Sequence, residues 1–424
     1  MKRFSQIALL GAALLLAACS AHDAEAPQPQ GEIVYPELRI GVAQMDFRAD
    51  SRAREPMNPD AEKSVITLAI FEFDNEGLHT NSPSTYHFID FPRGTVDGVS
   101  GVGNIIPAEH GVMESSLKGL SFREYSNGTI CLVGNVTEEQ VAEFYANGEP
   151  GQSSGRVTLE QFKKWTLPFE YESVNTNTKE YDDSTAGHLK VMYMFGYYQG
   201  PINPSTPEAI SIDLGRLASR LDITVVNETG KPIEKRLGYH FHKVCTSAYV
   251  FPVTVSVTSS DGTSRVRTVI CSGPQGAYNA EGETTDPVYG KVPETFPDKG
   301  VHTHYFYAAA HSAKNKDEAT SMHILYNSAI VSDDSLPSDA QDTSIPLCNV
   351  VPSQADQVNN GYSLSRNTRY HFTIRLKGAP STPSTASVST ASTGRDAASA
   401  GCETSVRYEY TNPGEITVYL PLDD

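Results

Sequence analysis

Residues 64–73, SVITLAIFEF, are a nearly continuous apolar run of β-branched and aromatic residues, closed at once by the turn sequence DNEG. A run of this length with no polar face predicts a central strand buried on both sides and ending in a turn. Such a strand needs partners along both edges and cover on both faces, which leads to a layered β-structure. The sequence offers the partners. LRIGV (38–42) alternates, with Leu38, Ile40 and Val42 on one face and Arg39 and Gly41 on the other. GTICLVGN (128–135) is a second buried strand, and KVMYMFGYY (190–198) and IDLGRLASRLDITVV (212–226) follow it. Thr137, with Gln140 three residues on, forms the capping box of a short helix that Asn147-Gly148 ends.

The second half reads the same way. FPVTVSVTSSDGTSRVRTVICS (251–272) is a pair of alternating strands about Ser260-Asp261-Gly262. HTHYFYAAA (302–310), SMHILY (321–326), RYHFTIRLKG (369–378), SVRYEY and EITVYLPL complete the set. At 424 residues the chain is too long for one ordinary core. The Pro-rich stretch QGPINPSTPEA (199–209) is the natural punctuation. The expected architecture is all-β with one or two short helices: two tandem β-sandwiches, 33–206 and 207–424. Within the second, the Ser/Thr-rich segment 379–401 reads as a low-complexity linker before a last strand at 414–422.

The N-terminus carries an address. MKRF is a positive n-region and IALLGAALLLAA an apolar stretch too short to span a bilayer, so residues 1–18 read as a secretory signal peptide. LLLAAC resembles a lipobox, with Ala17 and Ala18 before Cys19, the residue that would be lipidated. AHDAEAPQPQ continues as a Pro- and Ala-rich tether, so that 19–32 links lipid to fold. Several acyl chains on Cys19 would hold the precursor on an outer-membrane leaflet. A net charge of −18 argues against nucleic acid and anionic lipid surfaces as partners of the folded part.

Signals for chemistry are few. Beyond Cys19, the cysteines Cys131, Cys245, Cys271, Cys348 and Cys402 include no CxxC pair and match no zinc module. Cys131, inside TICLV, reads as a buried free thiol. His240 and His242, and His302 and His304, are His-x-His pairs whose rings share a strand face. With His311 they could make a three-histidine zinc site, or they could be ordinary histidines of a sheet surface. No HExxH, GxSxG, Walker A, GxGxxG or EF-hand loop occurs, so the sequence points to no enzyme and no cofactor. Asn127, Asn135 and Asn227 head N-x-Thr triplets. Asp183-Ser184-Thr185 and Asp334-Ser335-Leu336 resemble a short bacterial O-glycosylation sequon. Trp165 and the scattered tyrosines mark no carbohydrate platform.

DFRADSRAREP (46–56) places Arg48, Arg52 and Arg54 in a stretch with neither helical nor strand period, as expected of an exposed loop. The strand before it and the strand that ends the chain share a pattern: Leu38, Ile40, Val42 against Ile416, Val418, Leu420. A flexible linker of about 23 residues spans roughly 25 Å, enough for the last strand to leave its own domain. In this order of parts the chain resembles the fimbrillins, the pilin family of type V pili in Gram-negative anaerobes. The likeness rests on the lipobox at Cys19, the first strand with its arginine loop, NPDAEKSVITLAIFEFDNEG, TICLVGNVTEEQVAEF, ISIDLGRLASRLDITV and LSRNTRYHFTIRLKG.

The resemblance implies transthyretin-like sandwiches and a precursor that travels as a lipoprotein. An arginine-specific or trypsin-like protease would cut at Arg52 or Arg54. Loss of the first strand, 38–44, would open a groove that a neighbour's strand fills, with Ile416, Val418 and Leu420 as its anchors. Other pilin subunits would be the partners, with a host or bacterial surface ligand for the finished fibre. The long Ser/Thr tract departs from a shaft subunit and fits an accessory or tip role, whereas the arginine loop counts against an anchor. A surface lipoprotein that binds glycan or protein without polymerising is the alternative.

Overall fold

In the computed structural model, SVITLAIFEF becomes β4 (Thr67–Phe73), whose Leu68, Ala69, Ile70, Phe71 and Phe73 are all buried. The structure describes residues 31–43, 45–48, 64–78, 86–91, 106–107, 113–146, 157–169, 191–203, 209–234, 237–242, 244–245, 247–258, 264–268, 289–291, 295–309, 313, 318–326, 341–346, 362–378, 407–412 and 415–420. Among them the fold is all-β with two short helices, Glu138–Ala146 and Leu159–Phe162.

The first sheet has eight strands. From edge to edge they run β5 (Tyr86–Asp90), β4, β9 (Tyr125–Gly134), β11 (Met194–Ile202), β12 (Ile210–Arg216), β2 (Leu38–Val42), β7 (Met113–Leu117) and β6 (Ile106–Pro107). The sheet curls on itself, since residues of β2 and β12 share one core with residues of β4 and β9. The second sheet runs β19 (Val301–Ala309), β13 (Ala218–Asn227), β22 (Thr368–Gly378), β24 (Glu415–Leu420) and β23 (Arg407–Asn412). A short strand, β3 (Asp46–Arg48), also pairs with β22. A four-stranded sheet runs β18 (Tyr289–Lys291), β14 (Leu237–His242), β20 (Ser321–Tyr326) and β21 (Gln341–Pro346). Met322 and Ile345 of that sheet share a core with Phe372, Ile374 and Leu376 of β22, which makes the second sandwich. Three two-stranded ribbons remain: β1 (Ile33–Val34) with β8 (Phe122–Arg123), β10 (Thr166–Pro168) with β15 (Ser247–Tyr249), and β16 (Thr254–Thr258) with β17 (Ser264–Thr268).

Local chemistry explains the elements. The helix Glu138–Ala146 carries the expected box: the backbone N–H of Gln140 donates to Thr137 Oγ1 at 3.2 Å, and that of Thr137 to Gln140 Oε1 at 3.0 Å. Thr158 and Gln161 repeat the device on Leu159–Phe162. The helices close one end of the first core through aromatic packing, with Phe71 5.0 Å from Phe162 and Phe144 stacked 4.6 Å from Trp165. Asn135 turns the chain out of β9 at φ +67°, a conformation that asparagine tolerates better than most residues. Its side chain ties Ile66, Ser64 and Met192 together.

Two expectations need correction. The 206/207 boundary is not where the sheets divide, because β12 lies in the first sheet between β11 and β2. The chain passes to the second sheet at Leu217, after Arg216. Accordingly the strand expected over 212–226 is two strands, one in each sheet. Ile210, Ile212 and Leu214 need the apolar partners Leu38, Ile40 and Val42, and that pairing outweighs the proline punctuation before them.

The second sheet encloses charge. Arg220 Nε donates to Asp222 Oδ1 at 2.8 Å, and Arg369 Nε donates to the other carboxylate oxygen. Arg220 also lies 4.1 Å from the centroid of the Tyr305 ring. All three ionised groups are buried, so each depends on the others. Asp222→Ala should therefore lower the unfolding free energy by about 3–5 kcal/mol, read from urea denaturation. A loss below about 1 kcal/mol would contradict this account of the cluster.

Candidate functional site

The first strand occupies a slot. β2 pairs in parallel with β12, matching Leu38 to Ile210, Ile40 to Ile212 and Val42 to Leu214. On its other edge it pairs antiparallel with β7, matching Leu38 to Leu117 and Ile40 to Ser115. Leu38, Ile40 and Val42 are 0%, 6% and 2% exposed, while Arg39 faces solvent. The alternation read from LRIGV thus seats one apolar face in the core. At its start, Ser116 Oγ and Arg39 Nε both donate to Glu37, which holds that carboxyl below the usual carboxylate range. Being exposed, that clasp contributes little.

Past Val42 the chain continues onto the second sheet. The N–H of Ala43 donates to Leu214 O at 3.0 Å, and β3 then runs parallel to Thr368–Tyr370 at the start of β22. The crossing point is Arg216, which is buried. Its Nη1 donates to Ala43 O at 2.7 Å and to Asn367 Oδ1 at 3.0 Å. Asn367, at φ +49°, returns a backbone N–H to Ala218 O at 2.9 Å. Segment 38–48 is therefore a strap over both sheets, buckled where they meet. The sequence showed β2 but neither Arg216 nor Asn367. Arg216 is one of four charged residues in the run IDLGRLASRLDITVV, and nothing in the sequence set it apart from Asp213, Arg220 and Asp222.

The last strand has a place of its own. β24 lies between β22 and β23, with Ile416 opposite Ile374 and Val418 opposite Leu376. Ile416, Val418 and Leu420 are each 0% exposed. In the single chain the apolar edge of β22 gives those three residues a place within the second sheet. β3 and β24 lie one after the other along the same edge of β22, both parallel to it.

Other expected sites fall elsewhere. Cys19, Arg52, Arg54, His311, both O-glycosylation triplets, the linker 379–401, and Cys271, Cys348 and Cys402 lie outside the described residues. Arg48, expected in an irregular loop, belongs to β3. Cys131 is buried and free, and burial pushes its thiol well above the ordinary range. Asn227 is fully buried and donates to Lys231 O, Phe296 O and Pro297 O, which is a turn-forming role. Trp165 is largely buried, its ring stacked on Phe144. The two His-x-His pairs sit in different sheets, on β14 and β19. Among the described residues no group of three or more His, Cys, Asp or Glu stands close enough to hold a metal.

No family model and no curated protein matches the sequence. Among solved structures the chain is similar to the C-terminally truncated tip fimbrial protein Mfa3 of Porphyromonas gingivalis, at 12% identity and TM-score 0.41, over 82% of this chain and 97% of that one. A Bacteroides eggerthii protein described as a candidate cell adhesion protein matches at 12% identity and TM-score 0.45, over 93% and 98%. A fimbrial assembly protein of Parabacteroides distasonis matches at 10% and TM-score 0.37, over 82% and 92%.

The slot makes a direct prediction. Ile40→Asp puts an unpaired carboxylate between β7 and β12 and should destabilise the full chain by several kcal/mol. The same substitution should have no effect once residues up to Arg54 are removed. Chemical denaturation before and after trimming reads both outcomes.

Proposed function

We propose that the protein is a fimbrial subunit precursor, exported as a lipoprotein on Cys19, cut at Arg52 or Arg54, and assembled by strand donation into a cell-surface fibre that supports adhesion. The observation that carries this reading is the strap. A cut at Arg52 or Arg54 falls a few residues past β3 and would release β1, β2 and β3 in one piece. Its removal would strip cover from Ile210, Ile212, Leu214 and Leu117 and leave the edges of β7 and β12 without partners. A strand with three alternating aliphatic residues fits that vacancy. Each anchor contributes about 1.5–3 kcal/mol on full burial. Donation between copies is heterologous, so it propagates head to tail.

Arg48 suits a protease poorly, since its backbone is engaged in β3 and a protease needs backbone that is free of a sheet. Partners under this reading are other pilin subunits, an arginine-specific or trypsin-like protease, and outer-membrane lipid through Cys19. A host or bacterial surface ligand would meet the finished fibre. A second reading is a surface lipoprotein, or a tip or anchor subunit, that accepts a strand or never polymerises. It is favoured by the position of β24, which is satisfied on both edges by its own β22 and β23.

Mild trypsin treatment separates the two. A donating subunit should give heat-stable ladders on gels after trimming, whereas trimmed protein that stays monomeric at high concentration removes the polymerising role. A labelled peptide of residues 414–422 should bind trimmed protein and not the uncut chain, with an unlabelled 36–44 peptide competing. Binding of 36–44 without binding of 414–422 would leave the groove intact and rule out the C-terminal strand as its donor. Cys19→Ala should move the precursor from the membrane fraction to the soluble periplasm. Unchanged membrane association would exclude lipidation at that residue.

A further inference from the structure

The helix Glu138–Ala146, the short helix Leu159–Phe162 and β10 border a cavity of about 660 Å³. Sites for small molecules span about 300–1,000 Å³, so a ligand of modest size fits. Val157 and Leu167, both buried, line it together with the stacked rings of Phe144 and Trp165. This apolar wall is fixed from behind, because Trp165 also packs edge-on against Phe71 and Phe162, each at 5.7 Å.

Polar groups stand at the rim. Glu143 and Lys164 line the cavity and are exposed, and among the described residues neither closes an ion pair. Their charges cancel. Gln161 is pinned by its capping role: its Oε1 accepts from the Thr158 N–H at 2.8 Å, which leaves its amide nitrogen as the group it offers a ligand. The site thus pairs a preformed apolar wall with an amide donor, a carboxylate and an ammonium. A sugar ring has the complementary chemistry, with an apolar C–H face and hydroxyls that both donate and accept. A net charge of −18 disfavours an anionic ligand, and a wholly apolar one would cover rim groups without giving them partners.

We propose that this cavity binds a neutral pyranose against Phe144 and Trp165, with Gln161, Glu143 and Lys164 on its hydroxyls. The sequence marked no carbohydrate platform because these residues meet only when the two helices close over the first sheet. The inference deepens the proposed adhesive role by naming a sugar as the surface ligand, and rests on that reading for its use. It does not require cleavage or strand donation.

Trp165 is the single tryptophan of the chain, so its fluorescence reports on this cavity directly. The test titrates the full chain with methyl glucoside, methyl galactoside, N-acetylglucosamine and glucuronate, with calorimetry alongside. The expected result is a saturable change in emission with at least one neutral sugar, a dissociation constant of about 1 mM, and a weaker response to glucuronate. Glu143→Ala and Lys164→Ala should each weaken binding about tenfold or more and leave the melting temperature unchanged, since both side chains are exposed. Glu76→Gln, which does not line the cavity, should change neither. Emission unmoved by every neutral sugar, or equal binding by wild type, Glu143→Ala and Lys164→Ala, would overturn the site. Ladder formation after trypsin should be the same in these variants, so failure of the sugar site and failure of the fimbrial reading are told apart.

Discussion

The parallel ladder between β2 and β12 is the contact on which the first sandwich depends. Parallel neighbours require a crossover, and here the crossover consists of residues 43–209, the bulk of the first sandwich. The sheet is closed by its earliest strand only after nearly everything else in it has been made. Such a contact carries a large loop-closure cost and forms slowly. It also means that segment 38–48 has no hairpin partner. Its neighbours β12, β7 and β22 are all distant in sequence, so excising it breaks no other connection of the chain.

Magnitudes favour a plug that is costly to lose. Burial of Leu38, Ile40 and Val42 contributes roughly 5–9 kcal/mol as an upper bound. That is comparable to the whole net stability of an ordinary domain, about 5–15 kcal/mol. A chain that lost this segment, as the proposed function has it, would therefore be strongly driven to refill the slot. The same arithmetic applies to Ile416, Val418 and Leu420 in their own sheet, so under the proposed function a donated last strand would exchange one burial for another. What the exchange gains overall is the slot itself, which would otherwise stay open.

Arg216 is the buckle between the halves. A buried guanidinium needs several acceptors, and it finds Ala43 O on the strap and Asn367 Oδ1 beside β22, while its own residue ends β12. Charge-assisted bonds of this kind contribute about 1.5–3 kcal/mol each. Removing the strap takes away one acceptor at the point where the two sheets meet, which couples the first strand to the junction as well as to its slot.

Much of this was legible along the chain. Period-2 alternation marked β2 and β24 because strand side chains alternate faces regardless of what the strands pair with. The unbroken run at 64–73 marked a central strand for a related reason, since only double burial tolerates it. The capping box at Thr137 and Gln140 was visible because it is a contact across three residues. Partner choice was not legible. That β12 belongs with β2 and not with β13, and that Arg216 ties Ala43 to Asn367, are decisions of register between segments tens to hundreds of residues apart. Sequence pattern states which face of a strand is apolar. Which edge that strand lies against is settled only when all the apolar faces compete for the same two cores.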